Sequence, residues 1–518
     1  MPTLDNQTVK EGQHFDLCVV GGGINGVGIA RDAAGRGLSV LLVEKGDLAE
    51  GTSSRSGKLV HGGLRYLEYY EFRLVRDALI EREVLLESAP HIIWPMRFVL
   101  PHSPNDRPAW LIRLGLFLYD HLGGRKKLPG TRVLNLHSDA EGIPIKKQYK
   151  RGFEYSDCWV DDARLVVLNA LDAVEKGACV LTQTSCSSAR REKGQWFVTL
   201  ESGHNRQPLT ISAGGLVNAA GPWVDSVIKQ IDEVDAKRRV RLVKGSHIIV
   251  KKFWDGDHAY LVQNDDKRVI FINPYEQDQA LIGTTDIPFD GDPADVEIDP
   301  SEVDYLVAAV NKYFEVQLTA ADVVHQFSGV RPLFDDNAAN PSAVTRDYLF
   351  DLNAIELSSP LLSVYGGKIT TYRKLAEQAV DKLSPYYSMT NNAWTATAPL
   401  PGGDMPDADF EQFIESLEIS FRALPKALLY HYGRLYGTRT YNLLDGVEST
   451  TQLGKHFGHL LYEVEVSYLV NHEWARNSTD ILQRRTKHGL HLSNQQKLEF
   501  EEWFAEHRLQ LLSSESEA

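Results

Sequence analysis

Two short, continuous apolar runs, at residues 17–20 and 40–43, have the pattern of parallel strands buried on both faces. Between them, residues 27–35 predict a helix with small residues toward the sheet. Further along, 68–86 has the periodicity of an amphipathic helix, and 161–175 predicts another, followed by strands at 178–184 and 196–200. Residues 215–225 predict a buried strand ending in a small-residue turn, where Pro222 opens a helix. From 239 to about 346 the pattern alternates in short runs such as RVRLVKGSHIIV, RVIFINPY and ALIGTTD, which predict a largely antiparallel sheet. Strand, glycine turn and helix recur at 361–377, returning the chain to the first sheet. One stretch, 107–127, is apolar almost all round and is followed by Arg125, Lys126 and Lys127. It reads as a buried helix, with a helix lying in a membrane interface as the alternative.

These elements predict an α/β protein of several parts. A flexible leader at 1–14 precedes a discontinuous Rossmann-type domain at 15–388. A β-rich substrate-binding part is inserted at about 231–346, a Pro/Gly/Asp linker covers 389–410, and 411–518 is helical with a disordered tail. A length of 518 residues fits two or three domains, and 43% hydrophobic with 24% charged residues is ordinary globular composition. The formal net charge of −15 argues against nucleic acid as a partner. The four cysteines, Cys18, Cys158, Cys179 and Cys186, have no metal-ligand spacing and suit a reducing compartment. No metal is expected. No run of about 20 apolar residues is present to span a bilayer, and the polar start carries no signal peptide.

The chemistry begins between the first two strands. Gly21, Gly23 and Gly26 form G-x-G-x-x-G, which permits a tight turn, a close backbone approach to a pyrophosphate, and close packing of helix on strand. Glu44 ends the second strand, where a carboxylate accepts from ribose hydroxyls. That acid disfavours NADP and leaves FAD and NAD open. The loop that follows carries Thr52, Ser53, Ser54, Lys58, His61, Gly62 and Gly63, and its position places it beside the cofactor. Ala220 and Gly221 allow another close backbone approach, and Gly367, Lys368 and Thr370 bring a second glycine turn to the same place. Within the β-rich part, His247, Arg331 and Arg346 are polar groups in apolar surroundings and predict an anion-receiving pocket.

The motifs VVGGGINGVGIARDAAGRGLSV, TSSRSGKLVHGGLRYLE, EYSDCWVDDARL, LVNAAGPWV, KGSHI, IGTTD, SGVRPL and GGKITTYRKLAE occur in this order. As a set they resemble the aerobic, FAD-dependent sn-glycerol-3-phosphate dehydrogenases, within the D-amino-acid-oxidase-like flavoproteins. The resemblance runs from Phe15 through the C-terminal helical region. It implies FAD as cofactor and oxidation of glycerol 3-phosphate to dihydroxyacetone phosphate. It also implies a membrane quinone as acceptor, a lipid surface as partner, and a cytoplasmic, peripheral position on the inner face of the cell membrane. A homodimer is one admissible assembly.

Guanidinium groups bind phosphate oxygens in a bidentate manner. Arg331 and Arg346 therefore form the expected clamp, with Arg65 as a further contact. His247 is the preferred proton acceptor. Lys368 is the alternative base, or a cation that stabilises developing negative charge. The rival readings are a same-fold oxidase delivering electrons to oxygen, an amine or amino-acid oxidase, and a non-catalytic flavin-binding scaffold.

Overall fold

The computed structural model describes residues 8–103, 107–203, 207–232, 234, 238–334, 347–355 and 358–513. Arg346, the first half of the leader (residues 1–7) and the C-terminal tail beyond 513 lie outside the described residues.

The two apolar runs are neighbouring parallel strands, His14–Val20 and Val40–Val43, with Leu17 opposite Val40 and Val20 opposite Val43. Five parallel strands run across this sheet in the order Ser358–Tyr365, Leu209–Asn218, His14–Val20, Val40–Val43, Cys179–Leu181. An open parallel sheet of this kind binds ligands beyond the carboxyl ends of its strands. The helix between the first two strands is Ile24–Gly35, three residues longer at its start than periodicity predicts, and Gly23 is its N-cap. An antiparallel hairpin, Thr184–Glu192 with Gln195–Ser202, pairs with the first half of the inner strand Leu209–Asn218. Its first strand reads TSCSSARRE and carries too little apolar signal to be seen in sequence. The strand that opens the stretch 215–225 begins earlier than expected, running Leu209–Asn218, and the expected small-residue turn follows it at Gly221–Trp223.

The second sheet has ten strands. The stretch 240–334 supplies Val240–Lys251, Ala259–Gln263, Val269–Tyr275, Gln279–Gly283, Ile287–Pro288 and Val323–Phe334. The remaining four, Leu59–Val60, Ile93–His102, Arg132–Asn135 and Arg151–Val160, come from the chain before residue 161. The substrate sheet is thus wider than the insertion expected at about 231–346. The two contributions join through a parallel pairing of Ala259 with Phe98 that no local pattern encodes. Helix Pro300–Tyr313 covers one face, burying Leu306 and Val310. The opposite face looks toward the ends of the parallel strands.

The helix expected over 68–86 is Phe72–Ser88. Before it, Leu64–Tyr69 forms a tight turn entered at Gly63, with φ of 75°, and left at Tyr70, with φ of 61°.

The C-terminal part is helical and docks on the cofactor domain through buried charges. Arg164 and Glu473 form a fully buried, two-pronged ion pair. Arg485 and Arg484 both meet Asp47, which follows the second parallel strand, and Lys487 meets Asp161. Removing one partner of such a pair costs about 3–5 kcal/mol, because the other charge stays buried alone. The stretch expected to be a linker is itself packed. Trp394 lies on the first helix and donates to the Asp32 carbonyl, and Leu400 donates to that of Ser88.

Helix Ala109–Leu122 is not a buried core helix. Only Leu116 and Tyr119 are buried, while Trp110 is 67%, Leu114 47% and Phe117 56% exposed. Positions 110, 114 and 117 fall on one side of a 3.6-residue helix, so they form an outward apolar stripe. Tyr69, Tyr70 and Phe72 are also exposed, on the turn and helix start that pack against this helix. Among the described residues no helix is long and apolar enough to cross a membrane.

Candidate active site

A cavity of about 740 Å³ lies between the carboxyl ends of the parallel strands and the inner face of the second sheet. Its cofactor side is made of backbone. A Cβ on Gly26 would overlap the Gly21 carbonyl oxygen, and one on Gly21 would stand 2.6 Å from the Ala219 oxygen. Gly21 also has a φ of 114°, open to glycine but not to other L residues. Strand, turn and helix can approach this closely only without side chains. Glu44 accepts from the amides of Gly22 (2.6 Å) and Gly46 (2.8 Å), which fixes its carboxylate at the cavity edge. Burial raises its pKa above the ordinary carboxylate value, and these amides partly counter the effect.

The loop after Glu44 ties both sheets to this edge. Ser53 Oγ accepts from the Ile24 amide at the helix start (3.0 Å), and Thr52 donates to the Val330 carbonyl of the second sheet (2.6 Å). Thr370 Oγ1 accepts from the His61 amide (3.2 Å), and Asn25 reaches the Gly366 carbonyl. Gly21, Gly23, Glu44, Thr52, Ser53, His61, Ala220, Gly221, Gly367, Lys368 and Thr370 all line the cavity.

Five expected cofactor residues do not. Gly26 packs helix on turn, Gly62 turns its amide toward buried Asp157, and Gly63 reverses the chain. Lys58 is committed to Asp162 at 2.8 Å and to the Ser54 carbonyl, so Ser54 and Lys58 face away from the cavity. A buried ammonium is drawn to a buried carboxylate, and no local pattern places Asp162 beneath the loop.

The substrate side is carved by glycines on adjacent strands. Gly245 and Gly329 are direct cross-strand partners. The Arg331 side chain lies over Gly245, and Arg55 lies against Gly329. His247 likewise sits against Gly283 of the next strand and stacks on Phe327 with centroids 5.0 Å apart. Arg331 is held by Asp286 at 2.8 Å and by Thr284 at 2.9 Å. Burial, with the charges of Arg331 and Lys58, pushes the His247 pKa down to about 3, so the ring is neutral at pH 7. Lys368 extends over the Tyr66 ring at 3.9 Å, and Arg65 lines the same mouth.

Arg55 and Asn273 are cavity residues that sequence reasoning did not single out. Arg55 sits in a polar loop that looks solvated. Asn273 is a single amide in an apolar strand, and its position on the inner face follows from the period-two register with Phe271. Asn273 donates to the Gly57 carbonyl at 3.3 Å, which leaves its buried Oδ1 without a hydrogen bond.

A dinucleotide trough facing a sheet that carries a neutral imidazole and guanidinium groups has the make-up of a cofactor-dependent oxidoreductase. A family model described as FAD dependent oxidoreductase matches residues 16–372, and one described as the C-terminal domain of alpha-glycerophosphate oxidase matches 393–502. The chain is 62% identical to a D-erythritol 1-phosphate dehydrogenase of Brucella abortus, over 96% of this chain and 99% of the relative. It is 55% identical to a glycerol-3-phosphate dehydrogenase of Pseudomonas aeruginosa, over 93% and 94%. The solved structure of a glycerol-3-phosphate dehydrogenase from Bacillus halodurans, complexed with FAD, superposes with a TM-score of 0.74 at 27% identity, covering 97% of this chain and 95% of that one. The chain belongs to the FAD-dependent glycerol-3-phosphate dehydrogenase and oxidase family.

FAD is the cofactor of this family, and the cavity fits it: a side-chain-free turn at a helix start, a carboxylate at the second strand end, and small residues at Ala220 and Gly221. Replacing Gly26 with Ala should push the helix off the turn and yield protein that purifies with little or no flavin. The flavin-to-protein absorbance ratio of the purified variant checks this, and a fully yellow Gly26→Ala protein would contradict it.

Proposed function

We propose that the chain oxidises the secondary alcohol of a small polyol phosphate, glycerol 3-phosphate, to the corresponding ketone, dihydroxyacetone phosphate. The observation that carries this reading is the placing of His247 and Arg331 on one inner sheet face, across the cavity from the cofactor turn.

In this proposal, Arg331 binds the phosphate, steadied by Asp286 and Thr284, and Arg55 and Arg65 add positive charge. His247 accepts the hydroxyl proton, a role its neutral state allows. An incoming phosphate offsets the neighbouring cations and so raises the basicity of the ring when substrate is bound. Lys368 reaches from the second glycine turn to stabilise negative charge on the substrate oxygen. FAD, when bound, supplies the two-electron acceptor for the hydride.

A second reading is D-erythritol 1-phosphate, one hydroxymethylene longer. It is favoured by the name of the 62%-identical relative and by Asn273, whose unused Oδ1 can accept from an additional hydroxyl. The ratio of kcat/KM for the two phosphates on the parent protein decides between them. With either substrate, Arg331→Ala removes a charge-assisted contact worth about 1.5–3 kcal/mol, so affinity should fall about tenfold or more. Turnover of unphosphorylated glycerol should be poor in the parent and little changed in the variant. An unchanged saturation curve for the phosphate substrate would remove Arg331 from this role.

We also assign the acceptor to a membrane quinone and the location to the inner face of the cell membrane, reached peripherally. The support is the exposed stripe of Trp110, Leu114 and Phe117, flanked by Arg113, Lys126 and Lys127. Apolar insertion combined with cation attraction to anionic headgroups gives reversible attachment. Leu114→Glu together with Phe117→Glu should release the protein from anionic liposomes while turnover with a soluble dye stays near the parent. A double variant that still floats with the liposomes would overturn the assignment.

A further inference from the structure

The C-terminal part holds a cluster that the proposed reaction does not use. His431 lies on helix Lys426–Tyr436, Glu465 in the first turn of helix Glu463–His472, and His488 opens the turn His488–Leu490. One ligand atom from each lies within 4.8 Å of the others. His431 Nε2 is 3.2 Å from Glu465 Oε1, and His488 Nε2 is 3.5 Å from Oε2. Glu465 and His488 are buried, and Glu465 Oε2 and His488 Nε2 face each other without completing a hydrogen bond.

Glu465 is fully buried, and among the described residues its ion-pair partners are these two imidazoles alone. A divalent metal ion would bind both imidazole nitrogens and pair with the carboxylate at once.

The geometry suits such an ion. Zinc bonds to nitrogen and oxygen of about 2.0–2.1 Å place tetrahedral ligand atoms about 3.3 Å apart. His431 Nε2 is 3.2 Å from one oxygen of the Glu465 carboxylate and His488 Nε2 3.5 Å from the other, and a ligand atom from each of the three residues lies within 4.8 Å of the others. His459 Nδ1 stands 3.3 Å from His488 Nδ1, a hydrogen bond that holds the ring and directs the Nε2 lone pair inward. Tyr436 donates to Glu465 Oε1 at 2.8 Å and orients the carboxylate.

We propose that His431, Glu465 and His488 bind one divalent transition-metal ion, zinc by ligand preference, as a structural staple of the C-terminal domain. The staple joins two helices to the turn that follows Arg484, Arg485 and Lys487, the residues that clasp Asp47 and Asp161 of the cofactor domain. Its role is to hold that clasp in register.

The test uses full-length, tag-free, flavin-loaded protein, stripped with a chelator and titrated with Co²⁺ as a spectroscopic probe. The expected result is one Co²⁺ per chain, with the visible bands of a low-coordinate N/O site and a thermal midpoint raised by several degrees. Glu465→Gln and His431→Ala should each abolish the bands, with His431→Ala retaining its flavin. If Glu465→Gln does not fold, His431→Ala decides, because its ring lies at the rim. Absence of Co²⁺ bands in the parent, or bands that persist in His431→Ala, would overturn the proposal.

Discussion

The approach of Gly26 to the Gly21 carbonyl oxygen is the constraint on which the cofactor side rests. It lets the helix begin directly over the end of the first strand, where the Gly21 amide donates to the Val43 carbonyl at the end of the second. Glu44 then lies where its carboxylate caps the Gly22 and Gly46 amides, and Ala219 closes the floor against Gly21. The loop 45–63 leaves from this point and has one route, across the cavity mouth to the second sheet, where Thr52 is fastened to Val330. This loop is thus one of the ties that hold cofactor turn and substrate sheet together.

The second sheet answers with its own glycines. The Gly245–Gly329 pair leaves space above the pleat that Arg331 and Arg55 fill, and Gly283 gives His247 its seat. Side chains at those positions would force the guanidinium and imidazole groups out of the cavity. Burial first, and then the nearby charges of Arg331 and Lys58, depress the pKa of His247, and a bound anion would offset the second of these. On the proposed reading, the electrostatics that recruit a phosphate would make His247 competent as a base only once the phosphate is present.

The parallel strands were legible because runs such as VLLV, buried on both faces, have no competing reading next to a glycine turn. His247 and Arg331 were legible as polar groups in apolar strands. What sequence could not give was long-range. The pairing of Ala259 with Phe98 draws 59–160 into the substrate sheet, and Asp162 takes Lys58 out of the expected cofactor set. The helix at 109–122 has the composition of a core element, and only the packing of Leu116 and Tyr119 inward shows that its other side faces solvent. Arg55 stayed hidden because a lone arginine in a serine-rich loop carries no periodic signal.

The central claim is that His247, on the second sheet, takes a substrate proton in the same step that reduces flavin held by the first. Anaerobic stopped-flow bleaching of the bound flavin by glycerol 3-phosphate, in the parent and in His247→Ala, measures that step apart from any electron acceptor. The account predicts rapid bleaching in the parent and a limiting rate lower by about 10² to 10⁴ in the variant, with substrate affinity far less affected. A variant that bleaches at the parent rate, or a parent that does not bleach with any polyol phosphate, would contradict it.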